Sequence, residues 1–123
     1  MADDHRDVYE ALLKVHDEGI QAVLATVIST LGSMPRHVGA KMLVYSDRTF
    51  VGTVGGGALE SRVIDAAIQV LQTSEARTET YTLNNLEDGD PGICGGTAQI
   101  FIEPVALRPT LLVIGGGHVG KAL

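Results

Sequence analysis

Thr53-Val54-Gly55-Gly56-Gly57-Ala58-Leu59-Glu60 marks the point in this sequence where an apolar strand ends and a helix begins. Three consecutive glycines before a first helical turn leave backbone N–H groups that no side chain covers. These donors, together with the positive end of the helix dipole, favour an anionic ligand such as a phosphate. The same glycines could instead serve only a tight turn where helix and strand pack closely. Glu60 either complements the helix dipole or belongs to the binding site.

Apolar periodicity on both sides of this stretch predicts the secondary structure. Two amphipathic helices are predicted at residues 8–17, ended by Gly19, and at residues 58–72. A strand buried on both faces is predicted at residues 20–30. The other predicted strands are residues 40–46 and 49–54, joined at Asp47-Arg48 as a hairpin, residues 77–83, and residues 97–103, closed by Pro104. The sequence thus predicts an α+β domain with a mixed, largely antiparallel sheet and two helices packed on it.

The last 13 residues carry a different signal. Leu111-Leu112-Val113-Ile114 is an apolar strand of the parallel-sheet kind, and residues 115–120 spell G-x-G-x-x-G before Lys121. Ala122 stands where a phosphate-binding P-loop needs Ser or Thr, so that interpretation fails. We therefore predict a domain at residues 1–108 and the truncated start of a Rossmann-like domain at 109–123. The apolar edge of 111–114 is expected to pair with another chain or with the sheet, giving a homodimer or a strand-exchanged oligomer.

Composition limits the class of partner. The chain has 123 residues, of which 45% are hydrophobic and 20% charged, and this balance is typical of a globular domain. A net charge of -6 argues against a nucleic-acid partner and against an anionic membrane surface. No apolar run of about 18 residues and no signal peptide are visible, so a cytoplasmic protein is expected.

Two further segments carry candidate site residues. Cys94, the single cysteine, precedes Gly95 and Gly96, so its thiol is either reactive or a small buried apolar group. Ser33 and Arg36 lie in a loop with two glycines and a proline, where Arg36 either clamps a phosphate or is a solvated charge. The four histidines have no paired spacing that predicts a metal site.

Four motifs follow one another along the chain in a specific order. They are residues 31–44 (LGSMPRHVGAKMLV), residues 52–60 (GTVGGGALE), Cys94-Gly95-Gly96 before Phe101-Ile102-Glu103-Pro104, and residues 112–120 (LVIGGGHVG). Together they resemble the XdhC/CoxI family, the accessory proteins of xanthine and carbon monoxide dehydrogenases. The resemblance covers most of the chain.

This resemblance implies a molybdenum-cofactor chaperone, an accessory protein rather than an enzyme. Such proteins bind the cofactor while its terminal sulfur is installed and deliver it to a molybdenum hydroxylase, so a client enzyme and a sulfur-donating enzyme are the expected partners. On this hypothesis the phosphate or pterin of molybdopterin, or of its dinucleotide form, is bound by Ser33, Arg36, Gly55, Gly56 and Gly57, with Glu60 in the same site. Cys94, with Gly95 and Gly96, contacts molybdenum or sulfur. The alternatives are an NAD(P)-binding oxidoreductase subunit and a ligand-free remnant; NAD(P) is not expected to bind to 109–123 alone.

Overall fold

A computed structural model of the protein describes residues 5–32, 37–82 and 96–105. The elements of these ranges are α1 (Arg6–Glu18), β1 (Ala22–Leu31), β2 (Lys41–Tyr45), β3 (Phe50–Gly52), α2 (Gly57–Thr73), β4 (Arg77–Thr82) and β5 (Thr97–Val105). The strands form one sheet in the order β3-β2-β1-β5-β4, and each neighbouring pair is antiparallel. The α+β prediction is confirmed, and the described sheet holds no parallel pair. The segment predicted to begin a Rossmann-like domain, 109–123, lies outside the described residues.

β1 is the centre of the fold, and both of its faces are buried at its N-terminal end. Val23, Ala25 and Val27 pack in one apolar cluster with α2, whereas Ala22 and Leu24 pack in a second cluster with α1. The two helices therefore lie on opposite faces of the sheet and make a three-layer arrangement. A strand covered on both sides needs apolar residues at odd and even positions alike, as this strand has.

The helix ends follow from local sequence. Gly19 caps α1 in the left-handed conformation with φ of 68°, and its N–H donates to the C=O of Val15, as the sequence predicts. α2 buries the predicted stripe at helical spacing, formed by Leu59, Val63, Ile64, Ala66, Ala67 and Val70. No helix in the described ranges is long and apolar enough to cross a membrane.

β3 is shorter than predicted, with three residues in place of six. It ends at Gly52, whose φ of 87° takes the chain out of the strand. A Cβ at this position would lie 2.4 Å from the carbonyl oxygen of Lys41 and 2.6 Å from Cγ2 of Val8. Gly52 is therefore the position where strand and helix approach too closely for a side chain.

β5 is longer than predicted, because Pro104 does not close it. Pro104 pairs with Val23 of β1, and the strand continues to Val105. On the other side, β4 pairs with β5 only as far as Ile102. In the described sheet Pro104 therefore has one neighbouring strand, and its missing N–H breaks no pairing on the side away from β1.

Candidate functional site

The described strand ends that flank the predicted site segments lie at one end of the sheet. At that end Leu31 of β1 pairs with Thr97 of β5, and Thr97 pairs in turn with Thr82 of β4. The chain leaves β1 here towards 33–36, and 83–95 connects the end of β4 to the start of β5, the strand between β1 and β4. Ser33, Arg36, Cys94 and Gly95 lie within those two segments, outside the described residues. Gly96 is described and directly precedes Thr97 at this end.

The glycine turn between β3 and α2 belongs to the same end. β2 begins here at Lys41, and the carbonyl of that residue accepts the N–H of Thr53 at 3.0 Å. Arg62, in the second turn of α2, donates from Nη1 to the C=O of Thr82 at 3.4 Å. This contact links the start of the helix to the end of β4. The three loops that the sequence singles out are thus attached to one end of the sheet, although they are far apart in the chain.

The backbone amides of the turn are only partly occupied. Gly55 donates its N–H to Oγ1 of Thr53 at 3.1 Å, and Glu60 donates its N–H to the C=O of Gly56 at 2.9 Å. Gly56 is the N-cap residue and supplies no side chain to cap the helix. Within the described part of the chain, the amides of Gly56, Gly57 and Ala58 have no acceptor. The prediction of uncovered donors therefore holds for Gly56 and Gly57, whereas a hydroxyl covers Gly55.

Neither Gly56 nor Gly57 is required by the backbone. Gly56 has φ of −139° and ψ of −177°, extended values that any residue adopts, and Gly57 has no positive φ. A Cβ built at either position meets no atom within 4 Å. Tight packing, the alternative role for these glycines, thus does not explain them. A side chain at either position would instead occupy the open space beside the unpaired amides.

An acidic side chain lies beside these donors. The Thr53 hydroxyl donates to the Glu60 carboxylate, while it accepts the N–H of Gly55. The helix N-terminus carries only about half an elementary positive charge, so the full charge of a carboxylate outweighs it. A strongly anionic ligand would therefore need a nearby cation, such as Arg62 in the second turn of α2. A ligand with both acceptor and donor groups would match the amides and the carboxylate together.

Sequence analysis missed two of these contributors. Arg62 follows the glycines by one and a half turns, but helix periodicity alone does not indicate that it reaches β4. Thr53 was quoted only as the end of a strand, although a hydroxyl two residues before a backbone N–H is a common local acceptor. In the described ranges, no three His, Cys, Asp or Glu side chains come together as a metal site.

The sequence matches one protein-family model and two proteins of Escherichia coli K12. The model of the XdhC and CoxI family matches residues 15–82, which include β1, the glycine turn and α2. The chain is 35% identical over 118 residues to the uncharacterized protein YqeB of Escherichia coli K12, covering 95% of this chain and 22% of YqeB. It is 26% identical over 119 residues to the molybdenum cofactor insertion chaperone PaoD of the same organism, covering 93% of this chain and 36% of PaoD.

A solved structure is also similar. It is a crystal structure described as a xanthine dehydrogenase from Bacillus halodurans, with a TM-score of 0.67 and 36% sequence identity. The similarity covers 78% of this chain and 30% of that one. The chain therefore spans well under half the length of each of these three relatives.

Proposed function

Because this chain belongs to the XdhC and CoxI family, we propose that it holds molybdenum cofactor for insertion into a molybdenum enzyme. The observation that carries this proposal is the similarity to PaoD, a molybdenum cofactor insertion chaperone, across 93% of the chain. Since the chain matches only 36% of PaoD, the proposal concerns the holding of the cofactor first. Delivery to a client is a further step.

The turn before α2 supplies groups that suit the pterin end of such a cofactor. Gly56 and Gly57 offer unpaired N–H donors in open space, and Glu60 offers a carboxylate held by Thr53. A pterin ring carries a carbonyl beside N–H groups, so it presents an acceptor and donors on one edge. The phosphate of molybdopterin, or of its dinucleotide form, needs positive charge in addition, for which Ser33 and Arg36 are the proposed partners together with the Gly55 turn.

Cys94, with Gly95 and Gly96, is proposed for the metal or sulfur end of the cofactor. A thiolate is a soft ligand suited to molybdenum or to its terminal sulfur. Gly96 lies at the same end of the sheet as the glycine turn, which supports a single site with two sides. The bound cofactor would bring the redox-active metal, whereas the chain would bind it and limit its contact with water.

The proposal also covers the partner proteins and the cellular compartment. We propose a client of the xanthine or carbon monoxide dehydrogenase type, a sulfur-donating enzyme that acts on the held cofactor, and action in the cytoplasm. Self-association through 111–114 and the start of a Rossmann-like domain at 109–123 belong to the same proposal. The alternative role, a subunit of an NAD(P)-binding oxidoreductase, has one observation in its favour, because the Bacillus halodurans structure is described as a dehydrogenase.

Retention of cofactor by the purified protein separates the two roles. The protein is mixed anaerobically with released molybdenum cofactor, passed through a desalting column and assayed for bound pterin by fluorescence after oxidation. The chaperone role predicts retained pterin and transfer of it to a cofactor-free molybdenum hydroxylase, without oxidation of xanthine in the presence of NAD⁺. Absence of retained pterin, combined with NAD(H) binding and substrate turnover, would replace the chaperone by the oxidoreductase.

A cysteine variant tests the second side of the site. Cys94→Ala is expected to retain pterin less well and to lose most of the transfer to the client enzyme. Gln72→Leu, an exposed position at the far end of α2, is the matched control and should behave as the parent protein does. Equal retention and equal transfer by Cys94→Ala would remove Cys94 from the site.

A further inference from the structure

β4 forms a long, regular edge of the sheet. All six of its residues pair with β5 in unbroken register, and β4 is the last strand in the order of the described sheet. The strand contains no proline, glycine or bulge. The opposite edge, β3, has only three residues and ends where Gly52 takes a positive φ. Since unpaired N–H and C=O groups on an edge act as a template for another strand, β4 is the edge of the described sheet that is suited to pairing.

The charges on β4 are arranged so that the strand complements itself. Arg77 and Glu79 lie on the face towards α2, and Nε of Arg77 is 2.9 Å from Oε2 of Glu79. Thr78 lies between them and is exposed on the other face. Residues directly opposite each other in an antiparallel pair share a face. A second copy of β4 centred on Thr78 would therefore set each Arg77 opposite a Glu79 of the other copy.

We propose that two copies of this chain associate through antiparallel pairing of their β4 strands, with the two-fold axis at Thr78. This register gives two opposite-charge pairs and one Thr–Thr pair, both favourable across strands. A two-fold axis at Glu79 would set the two Glu79 carboxylates opposite each other, which is unfavourable. An axis at Thr80 would form no pair of opposite charges. The paired edge is smaller than the roughly 800 Å² per partner of a standard interface, so the dimer is weak and depends on concentration. The argument is independent of cofactor binding and of segment 111–114.

Disulfide trapping tests the register. In the full chain with Cys94→Ala, Thr78→Cys places two thiols across the axis, with Cα atoms about 5 Å apart, within disulfide reach. Thr80→Cys, on the same exposed face, leaves them roughly 14 Å apart along the paired strands, beyond that reach. Mild oxidation should therefore yield about tenfold more covalent dimer from Thr78→Cys. Equal yields from both variants, a higher yield from Thr80→Cys, or no dimer from either would overturn the proposal.

Charge exchange tests the complementarity. In the Thr78→Cys background, Arg77→Glu alone or Glu79→Arg alone turns both cross-strand pairs into like-charge pairs, and trapping should fall about tenfold. A mixture of the two variants restores opposite charges across the axis and should recover a mixed dimer. Loss of the half-buried Arg77–Glu79 pair within each chain does not predict this recovery. Undiminished trapping in either variant alone, or no recovery in the mixture, would contradict the charge-matched register. Circular dichroism checks that each variant is folded.

Discussion

Gly52 and Gly56 have opposite roles, and alanine at each position distinguishes them. At Gly52 a Cβ would lie 2.4 Å from the Lys41 carbonyl oxygen and 2.6 Å from Val8, on a backbone with φ of 87°. A side chain at positive φ costs roughly 1–2 kcal/mol, and relief of such an overlap costs about 1–3 kcal/mol. Gly52→Ala should therefore lower the free energy of unfolding by about 2–5 kcal/mol, a large part of the ~5–15 kcal/mol of a typical domain.

Gly56→Ala is expected to be close to neutral. The backbone is extended, and the new Cβ meets no atom within 4 Å. Alanine restricts the unfolded chain, a gain of about 0.4–1 kcal/mol, but is a poorer N-cap than glycine by a similar amount. Urea denaturation of both variants, followed by circular dichroism, measures the difference. If Gly56→Ala is destabilised as much as Gly52→Ala, the fold requires both glycines, and the argument that Gly56 is free to serve a ligand fails.

Two further predictions concern a side chain of the glycine turn, Thr53, and a side chain of β4, Tyr81. Thr53→Val should lower the free energy of unfolding by about 1 kcal/mol, because it removes the hydroxyl that accepts the N–H of Gly55 and donates to Glu60. Thr53→Ser keeps the hydroxyl and should keep the stability of the parent protein. Equal losses in both variants would rule out the hydroxyl as the cause. Burial, aided by the charge of Glu79, raises the pKa of Tyr81 to about 12. In the unfolded chain the phenol has its ordinary pKa of about 10, so it loses its proton at a lower pH than in the folded protein. The free energy of unfolding should therefore fall as the pH rises from about 10 to about 12. Tyr81→Phe should reduce that fall in thermal melts, and an unchanged pH dependence would contradict the shift.

Local signals predicted the elements whose ends are set by their own residues. Gly19 ends α1 because a left-handed cap needs only that residue and the preceding turn. The stripe from Leu59 to Val70 predicted α2 to within one residue at either end. β1 was recognised as a strand buried on both faces because it is apolar at odd and even positions. The positions of the helices on opposite faces came only from the structure.

Contacts between distant residues explain what the sequence did not reveal. The end of β3 depends on Lys41 and Val8, which surround Gly52 from other elements. The continuation of β5 through Pro104 depends on where β4 begins. Within the candidate site, the three glycines look alike in sequence, but the Thr53 hydroxyl occupies only the amide of Gly55. The assignments of Ser33, Arg36, Cys94 and Gly95 stay predictions.

Cofactor retention by Gly57→Leu measures the central claim most directly. The leucine would fill the open space beside the unpaired amides, where a Cβ meets no protein atom within 4 Å. Bound molybdenum per chain is determined by elemental analysis after anaerobic loading and desalting, with the unfolding free energy measured on the same samples. We predict stability close to that of the parent protein and loss of most of the bound molybdenum. Full retention of molybdenum by a stable Gly57→Leu protein would contradict the assignment of this turn to the cofactor.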